Sequence, residues 1–194
     1  MSLPTITFTD PVYRAHHPRW AYAPESGEGA SRHGGRFNRP GTPALYTALR
    51  PETAWLEAQQ GFTFKAQPMT VCAYDVDCAD VVDLTSHHAV EVLGIIPGDL
   101  GCPWEDMADR GETPPTWKLA DRLIATGAAG VIVPSFAHRA GLDDCNLVFW
   151  QWERVAASKR ELSSTLSVLN PISNRPEISP SKYSLRYQSQ SGTA

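Results

Sequence analysis

Between Ser31 and Ala48 the chain reads SRHGGRFNRPGTPALYTA, gathering Arg32, His33, Arg36 and Arg39 around Gly34 and Gly35 with no acidic residue among them. Paired glycines let a backbone approach a ligand closely or take φ > 0, and successive N–H groups in such a turn form a concave anion site. With the Arg36 guanidinium beside it, the stretch has the chemistry to grip a diphosphate through a planar, bidentate fork. A tight turn before a strand, with Arg36 paired to a surface carboxylate, satisfies the same residues. The wider region shares the bias. Residues 1–50 hold Arg14, Arg19, Arg32, Arg36, Arg39 and Arg50 and no lysine, against Asp10, Glu25 and Glu28, in a chain of net charge -4. A small phosphate-bearing ligand is one reading of this unevenness and a solvated basic loop is the other.

Further candidates follow along the chain. Tyr46 stands in ALYTA, and Glu57 stands in the segment after it, where Ala54, Glu57, Ala58 and Gly61 recur at i, i+3, i+4 and i+7. Glu57 therefore shares a small, apolar helix face that should look inward. An acid there needs a partner or a function: an ion pair with Arg14 or Arg36 is one solution, a site carboxylate another. Ser135, in VIVPSF, follows a buried strand, so its hydroxyl either holds a ligand or closes a turn. Asn146 opens CNLVFW and either supports the same site or satisfies a loop backbone. Ser135, His138 and Asp143 would make a serine-hydrolase set, but the G-x-S-x-G elbow is absent and the three crowd one loop. The pairs His16-His17 and His87-His88 lack the i, i+4 spacing of a helical metal site and read as surface residues; no metal is expected.

The elements that must position these residues are short and mixed. TITFTD and VYRA read as strands separated by Asp10-Pro11, followed by a long Gly/Pro/Ser/His loop from His16 to about Pro43. PALYTA reads as a strand, and RPETAWLEAQQG as a helix with Pro51 in its first turn and Gly61 at its end. MTVCAYDV and DVVDL are strand-like, SHHAVEVLG is a short helix, and PTWKLADRLIATG is a longer one closed by Gly127. AGVIVPS and NLVFWQW are buried strands, and ELSSTLSVL adds one more. Strands outnumber helices without alternating with them, which indicates an α+β domain rather than a doubly wound sheet. Neither a G-x-G-x-x-G after a strand nor a P-loop is present.

A length of 194 residues suits one domain, here 1–169, followed by a Pro/Ser-rich tail over 170–194 that crosses the surface or docks on a partner. Cys72, Cys78, Cys102 and Cys145 form no C-x-x-C pair and read as reduced residues in or near the core. No apolar run approaches the ~20 residues of a membrane span. The opening MSLPTITFTD carries no secretory signal, so the cytoplasm is the expected location. An acidic chain also lacks the surface for direct nucleic-acid binding.

Taken together, VYR at Arg14, GEGASRHGGRFN at 27–38, ALYTA at 44–48, Glu57 on the next helix, VPS at Ser135 and NLVFW at 146–150 resemble the RES domain. That family is named for its Arg, Glu and Ser and comprises toxins of bacterial RES/Xre toxin–antitoxin modules. The resemblance spans roughly residues 10–155. It implies a fold similar to ADP-ribosyltransferase toxins, a split mixed β-structure flanked by helices, and an enzyme that cleaves NAD+ as a substrate rather than using it as a cofactor. The ADP-ribose acceptor would be a protein target, phosphate or water, and the protein partner an Xre-type antitoxin. By the resemblance, Glu57, Arg36 and Tyr46 are catalytic, and Arg14, Gly34, Gly35, Arg36, Asn38, Tyr46, Ser135 and Asn146 contact NAD+. Some relatives place a second aromatic after the YR arginine; here the residue is Ala15, and Trp20 or Tyr22 would have to compensate. The competing class is a non-catalytic nucleotide-binding or antitoxin-docking module in which Glu57 is only structural.

Overall fold

The protein is described by a computed structural model over residues 3–59, 68–155, 165–167 and 184–188. In chain order the elements are β1 (Thr5–Phe8), β2 (Pro11–His16), a 3-10 turn (Pro18–Trp20), α1 (Glu28–His33), β3 (Leu45–Ala48), α2 (Pro51–Gln59) and β4 (Thr70–Asp83). They continue with α3 (His87–Val92), α4 (Pro97–Leu100), α5 (Trp104–Asp109), α6 (Pro115–Ala125), β5 (Gly130–Pro134), β6 (Cys145–Phe149), β7 (Glu153–Val155), β8 (Thr165–Ser167) and β9 (Ser184–Gln188).

Among the described residues these strands form one sheet whose middle closes on itself. β2 pairs with β3, β3 with β6, β6 with β5, β5 with β4, and β4 returns to β2. Among the described residues only the β4–β5 pairing is parallel, so the architecture is the expected α+β fold with a mixed sheet. Closure depends on β4, which changes partners along its length: Thr70–Asp75 lie against β2, whereas Val81–Asp83 lie against β5.

The sequence pattern suggests two strands here, MTVCAYDV and DVVDL, but the chain forms one strand with a bulge. Cys72, Tyr74, Val76 and Cys78 alternate into one core cluster, after which Val81 joins that cluster and Val82 the other. The one-residue slip occurs at Asp80, whose φ is 60°, as expected where an extra residue reverses the alternation and bends a strand.

The two clusters lie on opposite faces. Val12, Leu45, Tyr74, Ile132, Leu147 and Phe149 fill the inside of the closed strands. Val131, Val133 and Val148, on the alternate positions of β5 and β6, pack outward against Leu119, Ala120 and Leu123 of α6. That helix buries Thr116, Leu119, Ala120 and Leu123, the i, i+3, i+4, i+7 stripe of an amphipathic helix. Full burial of such a leucine is worth roughly 1.5–3 kcal/mol, an upper bound that chain entropy offsets.

The segment from His16 to Pro43 is more ordered than its composition suggests. It contains the 3-10 turn and α1, whose six residues lack a side-chain N-cap and end at Gly34 with φ 75°. His16 is not a surface residue: it is buried, with Nε2 3.3 Å from Cys72 Sγ and Nδ1 3.0 Å from the His17 carbonyl. His87 and His88 are exposed. All four cysteines are free, Cys72, Cys78 and Cys102 being buried. Gly61, and all of ELSSTLSVL except the strand Thr165–Ser167, lie outside the described residues. Of the tail, the described residues Ser184–Gln188 form β9, which pairs with β4 from Asp77 back to Ala73. Among the described residues no helix is long and apolar enough to cross a membrane.

Candidate active site

β6 is the strand from which the site is built. Its pairing sets Ala48 of β3 and Val133 of β5 on either side of Asn146, and Tyr46 beside Val148, which places Tyr46, Asn146 and the end of β5 on one face of the sheet. Ser135 follows β5 directly, and α2 lays Glu57 across the same end. The hydroxyl of Ser135 donates to Glu57 Oε1 at 2.6 Å, and the Asn146 Nδ2 donates to the same oxygen. Two residues from different parts of the fold thus converge on one carboxylate oxygen of a third.

Around this carboxylate open two clefts. One, of about 390 Å3, is walled by Gly34, Gly35 and Arg36 of the turn, by Tyr46, Glu57 and Asn146, and by the rings of Trp104 and Phe136. The other, of about 310 Å3, shares Arg14, Tyr46, Glu57 and Asn146 with the first and is otherwise lined by Tyr13, Thr47 and the small residues Ala15, Ala48, Ala54 and Ala58. Tyr46 and Glu57 stand on the divide, and Arg36 and Glu57 face a common space.

Arg36 is held there by its surroundings. Its Nη1 donates to the carbonyls of Leu100 and Cys102 at 3.2 and 2.6 Å, and its guanidinium carbon lies 4.4 Å from the centre of the Phe136 ring. Burial lowers the Arg36 pKa, with Cys102 and Glu57 opposing the shift. Arg14 sits on the same side of β2 as the core residue Val12 and opposite Cys72 of β4. It donates to the Pro24 and Ser26 carbonyls at 3.0 and 2.9 Å, and burial lowers its pKa too. The remaining arginines of the basic stretch are engaged elsewhere: Arg32 with Glu28, Arg39 with Asp121 of α6.

The glycine turn departs from its expected role. Its N–H groups do not form an open anion cradle, because Gly34 N–H donates to Ala30, Gly35 N–H to Asn38 and Phe37 N–H to the Tyr46 hydroxyl. Asn38 is buried beneath the cleft. Its Nδ2 donates to the Ala30 and Thr42 carbonyls at 2.8 Å each, and its Oδ1 accepts from the Tyr46 hydroxyl at 2.8 Å. Gly35 is needed for close packing: a methyl group there would lie 2.5 Å from Tyr46 Oη and 2.8 Å from Asn38 Oδ1. Tyr46 therefore presents its ring to the clefts while its hydroxyl fixes the turn, and burial holds that phenol protonated by raising its pKa far above the ordinary value.

The serine-hydrolase arrangement does not form. His138 and Asp143 are exposed, and the Ser135 hydroxyl donates its hydrogen bond to Glu57. Trp20 and Tyr22 pack together at 6.2 Å in an adjoining cleft that shares Arg14 and Gly29 with the larger one, so neither takes the place beside Ala15. Two wall residues lie outside the motifs: Trp104, in the six-residue α5, and Phe136, for which adjacency to Ser135 was the available signal. Chemically, the arrangement offers a desolvated guanidinium for an anion and, across the same cleft, an oriented carboxylate for developing positive charge.

Over 149 residues, 70% of this chain and 77% of the relative, the sequence is 33% identical to the NAD(+) phosphorylase MbcT of Mycobacterium tuberculosis, and equally to that of Mycobacterium bovis. The fold is shared with the crystal structure of the M. tuberculosis MbcT–MbcA toxin–antitoxin complex, at a TM-score of 0.50 and 24% identity over 75% of each chain. The RES domain model matches residues 11–169, and the chain belongs to that family.

Proposed function

We propose that this protein cleaves NAD+ at the bond between nicotinamide and ribose and acts as the toxin of a toxin–antitoxin pair, with inorganic phosphate as the acceptor of ADP-ribose. The observation that carries the reading is the convergence of Ser135 and Asn146 on one oxygen of Glu57 in a cleft that also holds Arg36. The choice of phosphate is supported by the name of the mycobacterial relatives, and the antitoxin by the complex in which the similar fold is found.

In this reading the Arg36 guanidinium pairs with the dinucleotide's pyrophosphate, and the Tyr46 ring orients the nicotinamide. Glu57 faces the ribose carbon and stabilises the oxocarbenium-like charge as the C–N bond breaks. The electron pair of that bond leaves with the pyridinium nitrogen, so nicotinamide departs neutral. A phosphate oxygen then forms the new C–O bond, giving ADP-ribose 1″-phosphate. Ser135 and Asn146 hold the carboxylate in place, so less of the barrier is spent on orienting it.

The test is incubation of the purified protein with NAD+ in the presence and absence of phosphate, with products identified by mass. Phosphate-dependent release of nicotinamide with ADP-ribose 1″-phosphate supports the reading. Free ADP-ribose would make water the acceptor, mass added to a protein in lysate would make it a transferase, and intact NAD+ would refute the catalytic reading.

A further inference from the structure

Glu57 is anchored by more than Ser135 and Asn146. One turn earlier on α2, the hydroxyl of the fully buried Thr53 donates to a carboxylate oxygen of Asp144. Asp144 precedes Asn146 by two residues, and Asn146 holds Glu57. Two side-chain rungs therefore join α2 to the start of β6 and the residue just before it, Thr53 to Asp144 and Glu57 to Asn146. Their spacing agrees on both sides. Four residues of an α-helix rise about 6 Å, and two residues of a strand advance about 6.6 Å.

Asp144 is itself fixed at three points. Its second carboxylate oxygen accepts the Gly141 N–H at 2.7 Å, its N–H donates to the Gly141 carbonyl at 3.2 Å, and its carbonyl accepts the Ser135 N–H at 2.7 Å. One residue thus grips the helix that carries Glu57 through its side chain and the backbone of Ser135 through its carbonyl. Thr53 is fully buried, and a hydroxyl buried there without an acceptor would be costly; its acceptor is the carboxylate of the residue whose backbone carbonyl holds the Ser135 N–H.

The geometry points to Asp144 as a positioning residue that, through Thr53, sets the rotation and height of α2 and so the place of the Glu57 carboxylate against Ser135 and Asn146. It touches no substrate and acts only through Glu57. The kinetic consequence rests on the NAD+-cleaving reading; the structural one does not.

Thr53→Val keeps the buried shape and removes the hydroxyl, and Thr53→Ser restores it. For Thr53→Val the expected result is a fall of about 10- to 100-fold in kcat per folded molecule, with KM for NAD+ within about twofold, and recovery in Thr53→Ser. Asp144→Asn offers one acceptor oxygen where two donors arrive and is expected to lose kcat in the same way, with no further loss in the double variant. Unchanged kcat in both single variants, a rise in KM alone, or a loss explained by the unfolded fraction overturns the proposal. Independently of turnover, the carboxyl carbon resonance of Glu57 at fixed pH is expected to move in Thr53→Val and return in Thr53→Ser. If wild-type protein leaves NAD+ intact while the resonance behaves in this way, the functional reading fails and the positioning role stands. If the resonance stays still, the positioning role fails whether or not NAD+ is consumed.

Discussion

The hydroxyl of Ser135 and the carboxylate of Glu57 are 78 residues apart in the chain and 2.6 Å apart in the fold. A carboxylate that receives the Ser135 hydroxyl and the Asn146 amide on one oxygen is held in a fixed direction. The pair makes sense if the acid performs the chemistry and the serine orients it.

Replacing Glu57 by Gln tests that division of labour. The amide oxygen still accepts from Ser135, so folding should be preserved, but the negative charge is gone. Nicotinamide release is expected to fall at least ~100-fold, on the order of 3 kcal/mol of transition-state stabilisation. Near-normal turnover, measured on protein whose thermal unfolding matches the wild type, would remove Glu57 from the mechanism.

Arg36 makes a different kind of contribution. It bridges the Leu100 and Cys102 carbonyls and sits over the Phe136 ring at 4.4 Å, demands that a lysine ammonium meets only in part. Arg36→Lys is expected to raise KM for NAD+ by about tenfold or more while kcat changes less, because a group that holds the pyrophosphate equally in ground and transition states governs binding. Steady-state kinetics across NAD+ concentrations decide the point, and a loss confined to kcat contradicts it.

How much of this was readable beforehand varies with the physics of each feature. Glu57, Tyr46, Ser135 and Asn146 could be found because periodicity and strand ends locate side chains on a face, and β3, β5, β6 and α2 formed as their patterns required. The role of the glycine turn could not. Whether Gly34 and Gly35 offer their N–H groups to a ligand depends on Asn38 and the Tyr46 hydroxyl, which fold back to use the turn's polar groups. Asp80 likewise hid the unity of β4, since a bulge reverses the alternation by which a strand is recognised. The Thr53–Asp144 rung joins residues 91 apart in the chain and leaves no local pattern at all.

The packing of Gly35 against Tyr46 gives a stability prediction. Gly35→Ala places a methyl group 2.5 Å from the phenol oxygen and is expected to destabilise by about 1–3 kcal/mol, the range for overpacking. Tyr46→Phe leaves Phe37 N–H and Asn38 Oδ1 without their partner and should also destabilise, by about 1–3 kcal/mol. Because both changes disturb one contact, the double variant is expected to lose clearly less than the sum. Additive losses in denaturant unfolding would mean that the clash is relieved elsewhere.

Asp144 supplies a prediction for pH. The Thr53 hydroxyl, and after it the Gly141 N–H, hold its carboxyl below the ordinary aspartate value. A carboxylate whose folded pKa is lowered contributes stability that is fully present above the unfolded value, about 3.9, and is lost progressively as pH falls from there through the lower folded value. The difference in unfolding free energy between wild type and Asp144→Asn should therefore be flat from about pH 5 upward and narrow below about pH 4. The carboxylate is partly open to solvent, so the difference should be modest and should shrink with added salt. Denaturant titrations at a series of pH values check both trends. A difference that disappears between pH 5 and 7 would mean that a group other than the Asp144 carboxylate carries the clamp on α2.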